Sequence, residues 1–153
     1  MAQGRKLPKS LKTERRGPVA IVTLARPEKR NALNDTTVLG LETFFATLPA
    51  AVNAVVLNAE GKHFSAGLDL SELKILSTEE GIAHSRVWHR VFHQIEFGRV
   101  PVVTVMHGAV VGGGLELRPR RISGSPSVPP TTRCPRAHAA SSWAAAARYA
   151  CRA

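Results

Sequence analysis

The first 133 residues of this 153-residue chain contain no cysteine. The only two, Cys134 and Cys151, lie near the C-terminal end, so there is no disulfide framework, and they read as free thiols without a role. No acid follows Glu116, and the 36 residues from Arg118 onward also lack Leu, Phe, Met, Lys, Asn and Gln. No apolar run approaches the roughly 18 residues of a membrane span. The basic first 12 residues have no apolar core behind them, which excludes a secretory signal. Arg5, Lys6, Lys9 and Lys12 precede the first acid, Glu14, leaving a mitochondrial presequence as the alternative to a cytoplasmic protein. What remains is ordinary for a globular protein of one domain at most: 44% hydrophobic and 21% charged residues.

The net charge of +10 is unevenly placed. Residues 1–117 hold 14 of the 21 Lys and Arg and all 11 acids, whereas residues 118–153 hold seven Arg and no acid. Within the first part, Val19-Ala-Ile-Val-Thr-Leu24 is an apolar, β-branched run that predicts a buried strand. Residues 11–16 are its expected hairpin partner across Gly17-Pro18. Asn34 or Asp35 can cap a helix in which Leu39, Leu41, Phe44, Phe45 and Leu48 recur at helical spacing up to Pro49. Residues 54–57 predict a second strand. Residues 78–97 predict a helix burying Ile82, Val87, Val91, Phe92 and Ile95, with Trp88 also a packing residue. Residues 100–105 predict a third strand, with Pro101 near its start, where a missing N–H does least harm. Alternating strands and helices argue for an α/β fold.

Two segments carry candidate chemistry. His63-Phe-Ser-Ala-Gly-Leu-Asp-Leu70 follows a strand, and its small trio Ser65-Ala66-Gly67 lets the backbone approach a ligand with N–H groups free. Gly112-Gly-Gly-Leu-Glu116 allows a tight turn into a helix start. Two loops that each offer an N–H meet the requirement of an oxyanion hole, and Glu116 could act as general acid or base. Plain glycine turns and a dipole-partner Glu are the bland alternatives. The triple glycine is neither a dinucleotide fingerprint nor a P-loop, lacking the spacing and the Lys-Ser/Thr. His89 and His93 stand four apart on the predicted helix, but no Glu follows His89 and no third ligand is apparent. A solvated helix face is expected there rather than a metal site. His63 and His107 are expected to serve packing or loop structure.

Three stretches, in order and at fitting separations, resemble the crotonase (enoyl-CoA hydratase/isomerase) superfamily: Ile21-Val-Thr-Leu-Ala-Arg-Pro-Glu-Lys-Arg-Asn-Ala-Leu-Asn34, Val55-Val-Leu-Asn-Ala-Glu-Gly-Lys-His-Phe-Ser-Ala-Gly-Leu-Asp-Leu70 and Pro101-Val-Val-Thr-Val-Met-His-Gly-Ala-Val-Val-Gly-Gly-Gly-Leu-Glu116. The resemblance covers residues 11–117 and implies a spiral of strand-strand-helix units, left incomplete here. It implies that the amides of Ala66 and Gly113 form an oxyanion hole for a thioester carbonyl. Ala66, Gly67, Leu68, Asp69 and Leu70 would line the bend of coenzyme A. The loop carrying Arg26, Lys29, Arg30, Ala32 and Leu33 would lie over CoA, with Lys29 or Arg30 meeting phosphates. Glu116 matches the first of two acids that hydratases use to add water across a 2,3-double bond. No cofactor is implied beyond CoA as part of the substrate. Δ3,Δ2-Enoyl-CoA isomerase is the main alternative, and decarboxylases, dehalogenases and thioester hydrolases share the same loops.

At Arg118 the pattern departs from the family, which continues into an Ala-rich helix and a second acid. Residues 118–153 instead hold nine Ala, seven Arg and five Pro, with little large apolar surface to offset their ordering entropy. Restoring one base before the Arg118 codon permits synonymous codons that spell an Ala-rich stretch and then Leu-Pro-Glu-Gly, resembling the missing continuation. The segment is therefore expected to be a frameshifted, non-native, disordered tail behind a truncated domain of residues 1–117. Such a chain should fold poorly or aggregate, lack hydratase activity and not form the trimers or hexamers of the family. No nucleic-acid or membrane partner is expected. An Arg-rich tail that binds nucleic acid is the reading from another class, with only Trp143 and Tyr149 able to stack on bases.

Overall fold

A computed structural model describes residues 7–72 and 77–118, together with the backbone of residues 131–133. Strands β1 (Leu11–Arg16) and β2 (Val19–Leu24) form an antiparallel hairpin with Val22 opposite Thr13. Gly17 turns between them at φ +58°, a left-handed conformation that suits glycine. β3 (Ala54–Ala59) and β4 (Val102–Thr104) add in parallel, giving the order β1-β2-β3-β4. Each parallel step requires a crossover, supplied by helices α1 (Asp35–Ala46) and α2 (Thr78–Phe97).

One face of the sheet, built from Ala20, Val22, Leu24, Val55, Leu57 and Val102, is buried in a core with Val38, Leu41, Phe44, Trp88, Val91 and Ile95. On the opposite face Ile21 and Val56 are half-buried, and Val103 and Val105 are 43% and 50% exposed. Ile82 and Phe97 on α2 are exposed as well. Apolar surface therefore lies open around the last parallel strand and on the helix before it.

Asn34 is the cap of α1, its side-chain oxygen accepting from the Thr37 N–H at 3.0 Å. The helix stops at Ala46, short of Pro49. Its buried stripe is Thr37, Val38, Gly40, Leu41 and Phe44, so Leu39, expected inside, points outward. Gly40 is where Pro8 and Leu11 press in: a Cβ there would stand 2.6 Å from Pro8 Cγ. Helix α2 has the expected bounds and opens with a reciprocal Ser77–Glu80 capping box. Its buried face is Trp88, Val91, Phe92 and Ile95; Ile82 is off that stripe and Val87 is half-buried.

Three further departures follow from short-range geometry. The strand expected over residues 100–105 pairs only over Val102–Thr104, although the Pro101 carbonyl still accepts the Val55 N–H at 2.9 Å. A short strand, β5 (Ala109–Val111), stands where only glycine punctuation was anticipated. It pairs in parallel with β6 (Thr131–Arg133), so these three residues of the tail are not irregular; Thr131 and Thr132 are β-branched and suit a strand. The remainder of the expectation for residues 118–153 lies outside the described residues from 119 onward.

Candidate acyl-thioester site

The site grows from three backbone segments laid side by side. Asn31 organises the first. It is buried at φ +53°, a region that Asn tolerates better than most residues. Its side-chain oxygen accepts the Arg26 N–H at 2.8 Å, and its amide nitrogen donates to the carbonyls of Glu60 and His63 at 2.8 and 2.9 Å. The Asn31 carbonyl accepts the Ser65 hydroxyl at 2.9 Å. Leu33 then bridges Leu68 in parallel: the Leu33 N–H donates to Gly67 and the Asp69 N–H donates to Leu33, at 2.7 and 2.8 Å. On the other side, Ser65 bridges Val110, with the Ser65 N–H on Ala109 and the Val111 N–H on Ser65, at 3.2 and 3.0 Å.

This pattern corrects the amide assignment. The Ala66 N–H, expected to be free, donates to the Arg30 carbonyl at 2.9 Å and cannot also face a substrate oxygen. In a parallel bridge the central residue directs its own N–H away from the partner whose neighbours bond it. Leu68 is that residue opposite Leu33, and among the described residues its N–H has no hydrogen-bond partner. The Gly113 N–H likewise has none. These two amides lie near each other: a Cβ on Gly67, which sits at φ +84°, would be 3.5 Å from the Gly113 nitrogen and 2.6 Å from the Val111 carbonyl oxygen. Only glycine fits between the two segments.

Gly112, at φ +52°, turns β5 into the single helical turn α3 (Gly113–Glu116). Gly114 packs flat on the first loop, where a Cβ would be 2.8 Å from Ser65 Cβ. Glu116 closes the turn half-buried. Burial raises its carboxyl above the usual range, and the positive field of His89 opposes that shift. Among the described residues no group of three or more His, Cys, Asp or Glu could hold a metal ion. No described helix is long and apolar enough to cross a membrane.

The residues expected to contact CoA divide into two sets. Ala32 and Leu33 are buried beside the amide pair, and Arg30 is exposed on the loop. Arg26 faces inward instead: its guanidinium meets Asp69 at 2.9 Å and donates to the Ala32 carbonyl at 3.0 Å. Lys29 reaches the same Asp69 oxygen at 3.4 Å and the Ser71 hydroxyl at 3.0 Å. The Ser71 hydroxyl and then Arg26 hold the buried Asp69 carboxyl down to about 2. Arg26 and Asp69 are thus each other's partners, binding two loops together. Leu70 is 72% exposed. Spacing alone could not reveal Asn31 as the organiser, because its three bonds reach residues 26, 60 and 63.

Parallel strands with helical crossovers thus frame two loops whose amides have no hydrogen-bond partner among the described residues, an α/β arrangement able to hold negative charge on an oxygen. The sequence model of the Enoyl-CoA hydratase/isomerase family matches residues 14–119. The chain is 36% identical over 107 residues to a short-chain-enoyl-CoA hydratase of Clostridium acetobutylicum, covering 68% of this chain and 41% of that protein. It is 40% identical over 107 residues to a putative enoyl-CoA hydratase of Thermus thermophilus, covering 67% and 42%. The crystal structure of a putative enoyl-CoA hydratase from Rhodopseudomonas palustris superimposes with a TM-score of 0.69 at 50% identity, over 71% of this chain and 42% of that one. This chain belongs to the enoyl-CoA hydratase/isomerase family. It spans less than half the length of these three relatives.

Proposed function

We propose that residues 11–117 bind an acyl-CoA thioester and polarise its carbonyl between the amides of Leu68 and Gly113. The observation that carries this reading is that these two N–H groups, on adjoining segments, have no hydrogen-bond partner among the described residues. When water adds across a 2,3-enoyl thioester, its oxygen bonds to C3 and the carbonyl becomes enolate-like. A proton then reaches C2 as the carbonyl re-forms. Two fixed donors stabilise the enolate oxygen more than the ground-state carbonyl, which lowers the barrier. Glu116, its carboxyl raised by burial, is suited to carry a proton at that step. Arg30, exposed on its loop, and Lys29 in part would be the cations that meet CoA phosphates.

Residues 118–153 hold no Asp or Glu, so the second acid of the hydratase pattern is not supplied there. Whatever fraction of the 153-residue chain folds should therefore bind and polarise a thioester without hydrating it. The test adds crotonyl-CoA and a cinnamoyl-CoA chromophore to the purified chain. A red shift of the bound chromophore with unchanged crotonyl absorbance supports the reading; no shift at saturation overturns it. A single acid can move a proton between C2 and C4, which favours isomerisation as the second reading. Conversion of a 3-enoyl-CoA into its conjugated isomer would select it.

The composition change at Arg118 supports one further part of this proposal, that residues 118–153 are translated out of frame. Resequencing the DNA around the Leu117 codon decides it. An extra base there, and hydration of crotonyl-CoA by the frame-restored protein, are the expected results; an unchanged frame overturns it.

A further inference from the structure

Two large apolar side chains lie beside Gly113, at a distance where a Cβ would make ordinary contact. A Cβ on Gly113 would meet Leu33 Cδ1 at 3.6 Å and Trp88 Cζ3 at 3.9 Å. Trp88 is 2% exposed, and its indole N–H, on the edge of the ring away from Cζ3, donates to Asp35 Oδ1 at 2.8 Å. A buried indole is rigid and needs a partner for that N–H. The same carboxylate oxygen meets His84 Nε2 at 2.6 Å. Asp35 opens α1, directly after the cap Asn34 and two residues beyond Leu33. The indole therefore spans from the start of α1 to the amide turn, with Phe92 edge-on at 6.0 Å on its other flank.

We infer that Asp35 is a positioning residue whose carboxylate holds the Trp88 indole as a strut, the far edge of which sets the placement of the Gly113 amide. The functional consequence rests on the amide assignment proposed above; the mechanical claim does not. Three side chains on two helices thereby fix one backbone turn that has few hydrogen bonds of its own. Asp35 is itself largely solvent-exposed, so removing it leaves no cavity, and its effect separates from loss of core packing.

The test is hydrogen exchange with mass spectrometry on the full 153-residue chain, at low concentration to limit association through the open apolar faces. Asp35→Ala should speed exchange of residues 107–117 several-fold while β3 keeps its wild-type protection. Trp88→Phe, which keeps a ring but loses the N–H, should do the same, and the double variant should be no worse than either single one. Asp35→Asn, which keeps an accepting oxygen in place, should restore most of the protection. Equal acceleration in β3, no acceleration at all, or a wild-type chain unprotected over residues 107–117 overturns the inference. So does an Asp35→Asn variant as fast as Asp35→Ala when Trp88→Phe is unchanged, because charge at the helix terminus would then be the cause. With bound cinnamoyl-CoA, Asp35→Ala should lose most of the red shift while affinity is retained. A wild-type chain that gives no shift counts against the acyl-CoA reading and leaves the exchange result to decide the strut.

Discussion

The two loops that converge at the site are held by different forces. Residues 65–69 are tied on both sides by main-chain bridges to residues 30–33 and 109–111, and Asn31 locks the outer segment with three further bonds. The turn at residues 112–114 has little such lacing. Its neighbours are side chains: Gly114 lies on Ser65, where no Cβ fits, and Gly113 lies beside Leu33 and Trp88, where a Cβ would make ordinary contact. Hydrogen bonds specify direction, so the bridges of the first loop fix which way its amides point. Packing specifies distance, so the second determines how close its amide stands. A two-donor oxyanion site needs both.

The sharpest way to break this contrast is at Asn31. Asn31→Ala removes three buried hydrogen bonds at about 1 kcal/mol each and puts alanine in a left-handed conformation at about 1 kcal/mol. The expected loss is about 4 kcal/mol, read as the shift of a denaturant midpoint followed by circular dichroism. Asn31→Gly should recover only the conformational part. Gly114→Ala is the matching change in the packed turn, forcing a methyl to within 2.8 Å of Ser65 Cβ. Overpacking of this kind costs about 2 kcal/mol, and the chromophoric thioester should lose its shift. If Gly114→Ala proved costlier than Asn31→Ala, the second loop would be the more rigid and the comparison would reverse.

A third change sharpens the polar side. The Asp69 carboxyl lies at about 2, below its ordinary 3.8. A carboxylate lowered in the folded state contributes stability that is complete above its unfolded value and is lost as pH falls through the folded one. The wild-type chain should thus lose stability between about pH 4 and pH 2. Asp69→Asn should cost about 2 kcal/mol at neutral pH and show a flatter profile across that window. A variant with the wild-type acid limb would show that the Arg26–Asp69 clamp contributes nothing.

How much of this was legible in the sequence follows the same division. Helix α2 could be bounded at both ends, and β2 and β3 located, because apolar periodicity and punctuation are local properties. The three motif stretches also placed the two loops correctly. That the Ala66 N–H is already bonded was not legible, since it depends on which carbonyl lies opposite, and Arg30 is 36 residues distant from Ala66 in the chain. The Arg26–Asp69 pair was not legible for the same reason: the two residues lie 43 apart, and Arg26 read only as part of the loop expected over CoA. Trp88 was recognisable as a packing residue, but the glycine against which it packs was not. Strand β5 escaped notice because three residues carry too little periodicity to register.

The smallest expected effect on stability falls on Glu116, and it separates folding from chemistry. Burial raises this carboxyl, and the field of His89 only partly offsets the shift. A raised carboxyl stabilises the fold while protonated and loses that contribution as pH rises through the folded value. Glu116→Gln should therefore match the wild type in acid and be more stable at neutral pH by about half a kcal/mol, the size of a partly exposed site. Because Leu68 and Gly113 remain, the variant should still red-shift bound cinnamoyl-CoA. In a frame-restored protein it should lose nearly all hydration of crotonyl-CoA while binding is retained, as expected for a group that carries a proton rather than holds the substrate. Equal loss of binding and turnover would instead assign Glu116 to the structure of the turn.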